Sequence, residues 1–259
     1  MPEGDTILSI AVKLRPVLVD RVPDEVVTPQ LRHALDHWPR KLAGARVQAV
    51  DTHGKHLFIR FDNGLSIHSH LRMTGRWFVY DRDWEWTRSP RRAWLLIRTG
   101  NRDVVQFNGP ILELVRDTRL RTDPYLRRLG PDILAPELDW ETILTRLRSD
   151  DPTRPVGDAL LDQRTLAGVG NLWKNESLWF CRVDPWRRLA EVGDEELEEV
   201  VRCARDLMLR ETRRGGRLSG GQVFEQARRP CPRCLTTRIR VKGQWDENRA
   251  TYWCSSCQR

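Results

Sequence analysis

Residues 231–257 read CPRCLTTRIRVKGQWDENRATYWCSSC, two C-x-x-C pairs separated by the 19 residues 235–253. A C-x-x-C knuckle lets two thiolates reach one tetrahedral ion, and a spacer of this length folds back to set the second knuckle opposite the first. Residues 238–242 and 250–253 read as the strands of that hairpin, with a polar turn around Asp246, Glu247 and Asn248. One C-x-x-C also suits a redox dithiol, but two at this spacing favour metal. The expectation is one structural Zn2+ held by Cys231, Cys234, Cys254 and Cys257. Protein fills all four positions, so none is open to a catalytic water.

Upstream of this finger, 213–216 (RRGG) and 219–221 (SGG) read as a flexible basic link. Before the link the pattern is helical at 140–147, 156–162, 172–181 and 194–213, the last opening on an acidic turn. Before Gly130-Pro131 it is strand-like. Short turn-bounded segments at 47–51, 57–61, 65–70, 77–80, 94–98, 104–107 and 111–115 predict a β-sandwich or barrel, and Asn63-Gly64 is a two-residue hairpin signal. Ile7, Ala11, Leu14 and Leu18 recur at helical spacing over 6–18, with Asp5 or Thr6 as N-cap. The expected domains are 1–130, 131–220 and 221–259.

The chain has 259 residues, 39% of them hydrophobic, enough for real cores. It holds no apolar run of membrane-spanning length, and its start, MPEGD, lacks a signal-peptide stretch, so a cytoplasmic protein is expected. A net charge of +8 suits a polyanionic partner or a solvated basic surface. Of 44 basic residues, five are lysine: Lys13, Lys41, Lys55, Lys174 and Lys242. That skew fits a GC-rich genome as well as phosphate recognition. Cys181 and Cys203 stand apart from the knuckles, and in a reducing compartment they read as buried small hydrophobes.

Two segments carry chemistry. Residues 159–175, ALLDQRTLAGVGNLWKN, read as a helix ending near Gln163, a turn with Gly168 and Gly170, and a second helix capped by Asn171. Such a helix start turns free N–H groups toward an anion, and glycine allows a phosphate to approach closely. An ordinary helix-turn-helix connection is the plainer alternative. At the N-terminus, loss of Met1 would expose the secondary amine of Pro2. An α-amine with a pKa of about 8 is roughly one-tenth unprotonated at pH 7, far more than a lysine. It can attack an aldehyde-like carbon to form an iminium, with Glu3 beside it as acid or base. Taken alone, MPE reads as just a start.

The segments MPEGDT (1–6), HGKHLF (53–58), HSHLRMTG (68–75), LRRLGPDIL (126–134), LLDQRTLAGVGN (160–171) and the finger ending YWCSSCQR occur in one order. Together they resemble the formamidopyrimidine-DNA glycosylase/endonuclease VIII family of base-excision repair enzymes, across almost the whole chain. The resemblance implies an α+β fold: an N-terminal β-sandwich flanked by helices, then a helical helix-two-turns-helix domain with a four-cysteine zinc finger. It implies that Pro2 is the nucleophile at the sugar C1′, Glu3 the acid/base, and Lys55 an aid to β-elimination and a phosphate grip. Asn171 and Arg128 would contact DNA, and Arg249 would bind phosphate and support δ-elimination. Arg72 and Met73 occupy the wedge loop that fills the gap of a flipped nucleotide, although Met73 also suits a core.

Two departures bear on substrate. Members specialised for oxidised purines begin P-E-L-P-E and carry an Arg-x-Phe-type wedge pair, whereas this chain has P-E-G-D-T and 107–113 reads FNGPILE. That favours the endonuclease VIII branch, of actinobacterial type, and oxidised pyrimidines. Endonuclease VIII of the best-known type, however, has Gln-Leu-Tyr where Arg72-Met73-Thr74 stands here. The resemblance implies a bifunctional DNA glycosylase and AP lyase cutting by β,δ-elimination. The alternatives are an AP-site lyase or a lesion-binding relative with little glycosylase activity. The expected partner is damaged double-stranded DNA, with no membrane, for a monomer in the cytoplasm associated with the nucleoid.

Overall fold

The computed structural model describes residues 2–215, 220–244 and 248–259. The chain forms two compact units, Pro2 with Thr6–Arg127 and Glu3–Asp5 with Arg128–Arg259. In the first, helix α1 (Gly4–Leu18) buries Ile7, Ala11, Leu14 and Leu18, the stripe its spacing predicted. The helix begins at Gly4, ahead of the expected cap, because the Gly4 N–H is taken by Gly168 O at 3.0 Å.

The strands β1 (Glu25–Val27), β2 (Val47–His53), β3 (His56–Phe61), β4 (Leu65–His70), β5 (Arg76–Asp81), β6 (Ala93–Thr99), β7 (Arg102–Phe107) and β8 (Ile111–Arg116) form two antiparallel sheets. Their orders are β1-β6-β7-β5 and β2-β3-β4-β8. Val50, Leu57, Ile59 and Ile67 of one sheet and Leu95, Ile97 and Val104 of the other join α1 in a single core, which makes a sandwich. The seven expected strands are present. The eighth, β1, pairs three residues along the edge of β6 and is too short to show a period. Two short helices, α2 (Trp38–Lys41) and α3 (Asp117–Thr122), were likewise below the length at which periodicity speaks. The β3–β4 hairpin turns on 62–64, where Gly64 takes φ +74° and the Asn63 side chain accepts from the Leu65 N–H. The turn is one residue longer than the Asn-Gly pair suggested.

The second unit contains α4 (Trp140–Arg148), α5 (Val156–Ala159), α6 (Asn171–Phe180) and α7 (Asp194–Arg213), then the hairpin β9 (Arg240–Gln244) and β10 (Arg249–Trp253). The expected helix over 156–162 stops at Ala159. There the chain closes in tight turns, and Asp162 accepts from the Arg164 N–H at 2.9 Å, an alternative to helical bonding. Likewise β9 starts two residues late, because Cys231 N–H bonds Thr237 O and Ile239 exchanges both bonds with 228–229. Asp246, Glu247 and the link residues 216–219 lie outside the described residues. Cys181 and Cys203 are half-buried, not fully buried as expected, since they lie where α6 ends against an open face of α7.

Candidate active site and metal centre

The start of α6 is where the second unit concentrates its backbone donors. Gly170 is the N-cap, and it has no side chain with which to cap. Asn171, expected as the cap, is instead the first helical residue. The orphan N–H groups of Gly170 and Leu172 donate to the Glu3 carboxylate at 2.8 and 2.9 Å, and Trp173 N–H at 3.4 Å. A carboxylate at a helix N-terminus meets both the unpaired donors and the positive end of the dipole. Glu3 is 3% exposed. A Cβ at Gly170 would stand 2.2 Å from its Cδ, so that position admits only glycine. The Gln163 side chain staples the preceding loop, donating to Leu161 O and Val169 O and accepting from Gly168 N–H. Trp173 Nε1–H donates to Asp5 Oδ1 at 2.9 Å. The segment Glu3-Gly4-Asp5 is thus fastened at three consecutive residues, and Pro2, itself buried, precedes it directly.

The same helix holds the finger hairpin. Asn171 Nδ2 donates to Ala250 O, Lys174 Nζ to Thr251 Oγ1 at 2.7 Å, and Tyr252 N–H to Asn175 Oδ1 at 2.7 Å. Three successive β10 residues are therefore seated on α6, immediately after Arg249, which is exposed at the start of the strand. Burial pushes the Lys174 ammonium down to about 7; Asp158 and Glu3 oppose the shift and Arg249 adds to it. Glu176, also buried, accepts from the N–H groups of Gln222, Val223 and Phe224, each at 2.9 Å. Sequence reading passed over Lys174, Asn175, Glu176 and Thr251. The one local signal was on α6, where Asn171, Lys174 and Asn175 fall at i, i+3 and i+4.

In the first unit, Lys55 sits at the tip of the β2–β3 hairpin after Gly54, which takes φ +56°. Beside it, His56 Nδ1 and His68 Nε2 share a hydrogen bond of 2.8 Å, and His70 packs tilted against His56 with ring centroids 4.7 Å apart. Burial, then the charges of neighbouring groups, pushes His56 down to about 2 and His70 to about 4; burial also lowers His68. These rings are neutral at neutral pH. His70 Nδ1 accepts the Arg72 N–H at 3.2 Å, and Arg72 takes φ +46°. Met73 follows at 61% exposure, which excludes a core role. Arg128 ends the 3₁₀ turn Leu126–Arg128 and is exposed. Pro2, Lys55, Arg72 and Met73 thus belong to one unit, and Glu3, Arg128, Asn171 and Arg249 to the other.

The thiol sulfurs of Cys231, Cys234, Cys254 and Cys257 all lie within 4.8 Å of one another. The Cys231–Cys257 and Cys234–Cys254 separations are 3.9 and 3.7 Å. Four ligands about 2.3 Å from a tetrahedral ion have edges of about 3.8 Å, so the cluster fits such an ion. Hydrogen bonds from Thr237 and Thr236 pull Cys234 down to about 5, whereas burial and the adjoining sulfurs push Cys257 up to about 12. The four sulfurs are placed to hold one metal ion.

Residues 1–110 match the formamidopyrimidine-DNA glycosylase N-terminal domain, and residues 129–221 its H2TH domain. Over the full chain the protein is 36% identical to the probable endonuclease 8 2 of Streptomyces coelicolor, covering 94% of that protein. It is also 36% identical to the DNA-(apurinic or apyrimidinic site) lyase Nei2 of Mycolicibacterium smegmatis, covering 99% of that one. The chain belongs to the formamidopyrimidine-DNA glycosylase/endonuclease VIII family. Endonuclease 8 of Escherichia coli is a more distant member, 29% identical over 270 residues. The fold of the family is matched end to end by Lactococcus lactis formamidopyrimidine-DNA glycosylase bound to DNA with an abasic site (TM-score 0.83, 19% identity). Within the family's helix-two-turns-helix element, the seat of Glu3 is the junction Gly168–Trp173. Among the described residues, no helix is long and apolar enough to cross a membrane.

Proposed function

We propose that this family member is a bifunctional DNA glycosylase and AP lyase of base-excision repair that takes oxidised pyrimidines from double-stranded DNA. The observation that carries the reading is the clamp on Glu3. Two short backbone hydrogen bonds at the start of α6 fix the residue that follows Pro2. Once Met1 is removed, the Pro2 nitrogen attacks C1′, the bond from C1′ to the base breaks, and the base leaves with a proton. The lone pair on nitrogen then completes the iminium as the C1′–O4′ bond breaks and O4′ takes a proton. Glu3 moves protons at the sugar, and Lys55 helps remove the C2′ proton so that the C3′–O bond breaks. Arg249 holds a phosphate while the C5′–O bond breaks in the second elimination. Asn171 and Arg128 contact the backbone, and Arg72 and Met73 fill the vacated stack; a flipped base leaves a gap costing a few kcal/mol. The four cysteines hold one structural Zn2+ that keeps the Arg249 hairpin in shape. The proposed divisions are 1–130, 131–220 and 221–259, in a cytoplasmic monomer acting on the nucleoid.

Borohydride trapping tests the reading on thymine-glycol, abasic and 8-oxoguanine duplexes. The expected result is a covalent adduct on the first two that requires a free Pro2 amine. Trapping that persists with Pro2 blocked overturns the mechanism. Adducts on abasic DNA alone replace it with a lyase reading, which the name of the mycobacterial relative favours. Replacing Arg249 with Ala is expected to reduce δ-product at least 10-fold while base excision falls less; equal loss of both removes its separate role.

A further inference from the structure

Cys181 and Cys203 belong neither to the metal cluster nor to the proposed catalytic groups. Cys181 is the C-cap of α6, with its backbone N–H on Ser177 O and Trp179 O. Its sulfur lies 3.7 Å from Glu199 O of α7. Glu199 is one turn ahead of Cys203, and a helical side chain covers the turn N-terminal to its own Cα. The Cys203 thiol therefore comes down on the carbonyl that Cys181 meets. The nearness of the Cys181 thiol holds Cys203 below the usual thiol range, and the same nearness raises Cys181. Both are half-buried. Cys203 also opens on a shallow depression of about 450 Å³, lined by Arg202 and Arg210 and by the carboxylates of Glu195, Glu198, Glu199 and Asp206, which leaves room for a small uncharged oxidant.

We propose that Cys203 and Cys181 are a reversible modification site, a dithiol that a hydroperoxide converts to a disulfide. The Cys203 thiolate attacks the terminal peroxide oxygen. The O–O bond breaks, water or an alcohol leaves, and Cys203 becomes a sulfenic acid. The Cys181 thiolate then attacks that sulfur, the S–O bond breaks and a second water leaves. Sulfur is oxidised by two electrons overall, and the peroxide is reduced by two. A dithiol reductant reverses the step. The bond would tie the last turn of α6 to α7. With about 1.5 Å of rise per residue, that turn lies some 15 Å along the helix from the Glu3 seat, so the start of α6 stays as it is.

The test treats the zinc-loaded full-length protein with a small molar excess of hydrogen peroxide. Remaining thiols are blocked, the digest is mapped by mass spectrometry, and zinc is quantified in parallel. The expected result is a Cys181–Cys203 cross-linked peptide, lighter by two hydrogens than its reduced parts, lost on dithiothreitol treatment and formed with zinc still bound. C181S should accumulate a dimedone-reactive sulfenic acid at position 203. C203S should form neither product at position 181. Recovery of Cys181 and Cys203 as blocked thiols while the zinc cysteines are oxidised overturns the proposal. A C181S protein that gives no dimedone adduct removes Cys203 as the attacking thiol.

Discussion

In the sandwich unit the buried His56 and His68 and the half-buried His70 pack ring against ring and are discharged by burial. In the helical unit the buried Lys174 and Glu176 share one turn of α6, with a partner for each polar head. The first arrangement removes charge where the chain has basic residues at Lys55 and Arg72. The second uses polar and ionic groups to fasten separate stretches of chain, 222–224 and β10, onto one helix. An apolar stripe on α6 would bury those stretches equally well. It would not fix their register, because hydrophobic contact is non-directional whereas each hydrogen bond selects one partner.

The largest effect should come from Glu176. Its carboxylate satisfies three backbone N–H groups, and each one left unpaired in a buried site costs about 1–3 kcal/mol. Glu176→Ala should therefore lower the stability of the helical unit by about 4 kcal/mol, read as faster hydrogen exchange over 171–180 and 222–224. The sandwich peptides 56–70 should keep their protection. If those peptides lose it equally, the contrast between the units fails.

Much of the sandwich was legible because its strands alternate and end at turns, and because α1 repeats at 3.6 residues. The family motifs supplied the proposed site residue by residue, including Pro2, Glu3 and Lys55. What stayed hidden was long-range pairing. The cap of α6 is supplied by Glu3 from 167 residues away, which no local cue at Gly170 or Asn171 announces. The two-residue shift of β9 came from 228–231 competing for the backbone of 237–239, again a tertiary partner overriding a local pattern. Lys174 was noted only as one of five lysines. Its burial follows from β10, whose position the spacing of cysteines implies but does not fix.

Acid should act next, and on the sandwich. His56 and His70 titrate near 2 and 4 when folded against 6.5 when unfolded. Below pH 6.5 the unfolded chain thus binds protons that the folded chain refuses. Stability is full above that pH and falls as pH drops, by about 1.4 kcal/mol per unit per histidine. Denaturant melts followed by exchange over 56–70 should lose about 3 kcal/mol by about pH 5.4. His56→Phe should recover roughly half; an unchanged slope would show that the carboxylates, not this stack, set acid stability.

The smallest effect sharpens the comparison most, because it moves in a different pH window. Lys174 titrates near 7 folded against 10.5 unfolded. Between those values the unfolded chain again binds the extra proton, so stability rises with pH from about 7 upward and is lowest below 7. The slope should approach 1 kcal/mol per pH unit between pH 7 and 9, below the 1.4 limit for one proton. Lys174→Met keeps the length of the side chain and removes the titration, so its slope over that range should be flat. The change should be confined to α6 and β10, since the histidines are already neutral there. An alkaline slope that survives in the Met variant assigns the titration to another group, and Lys174 then acts on β10 through its hydrogen bond to Thr251 alone.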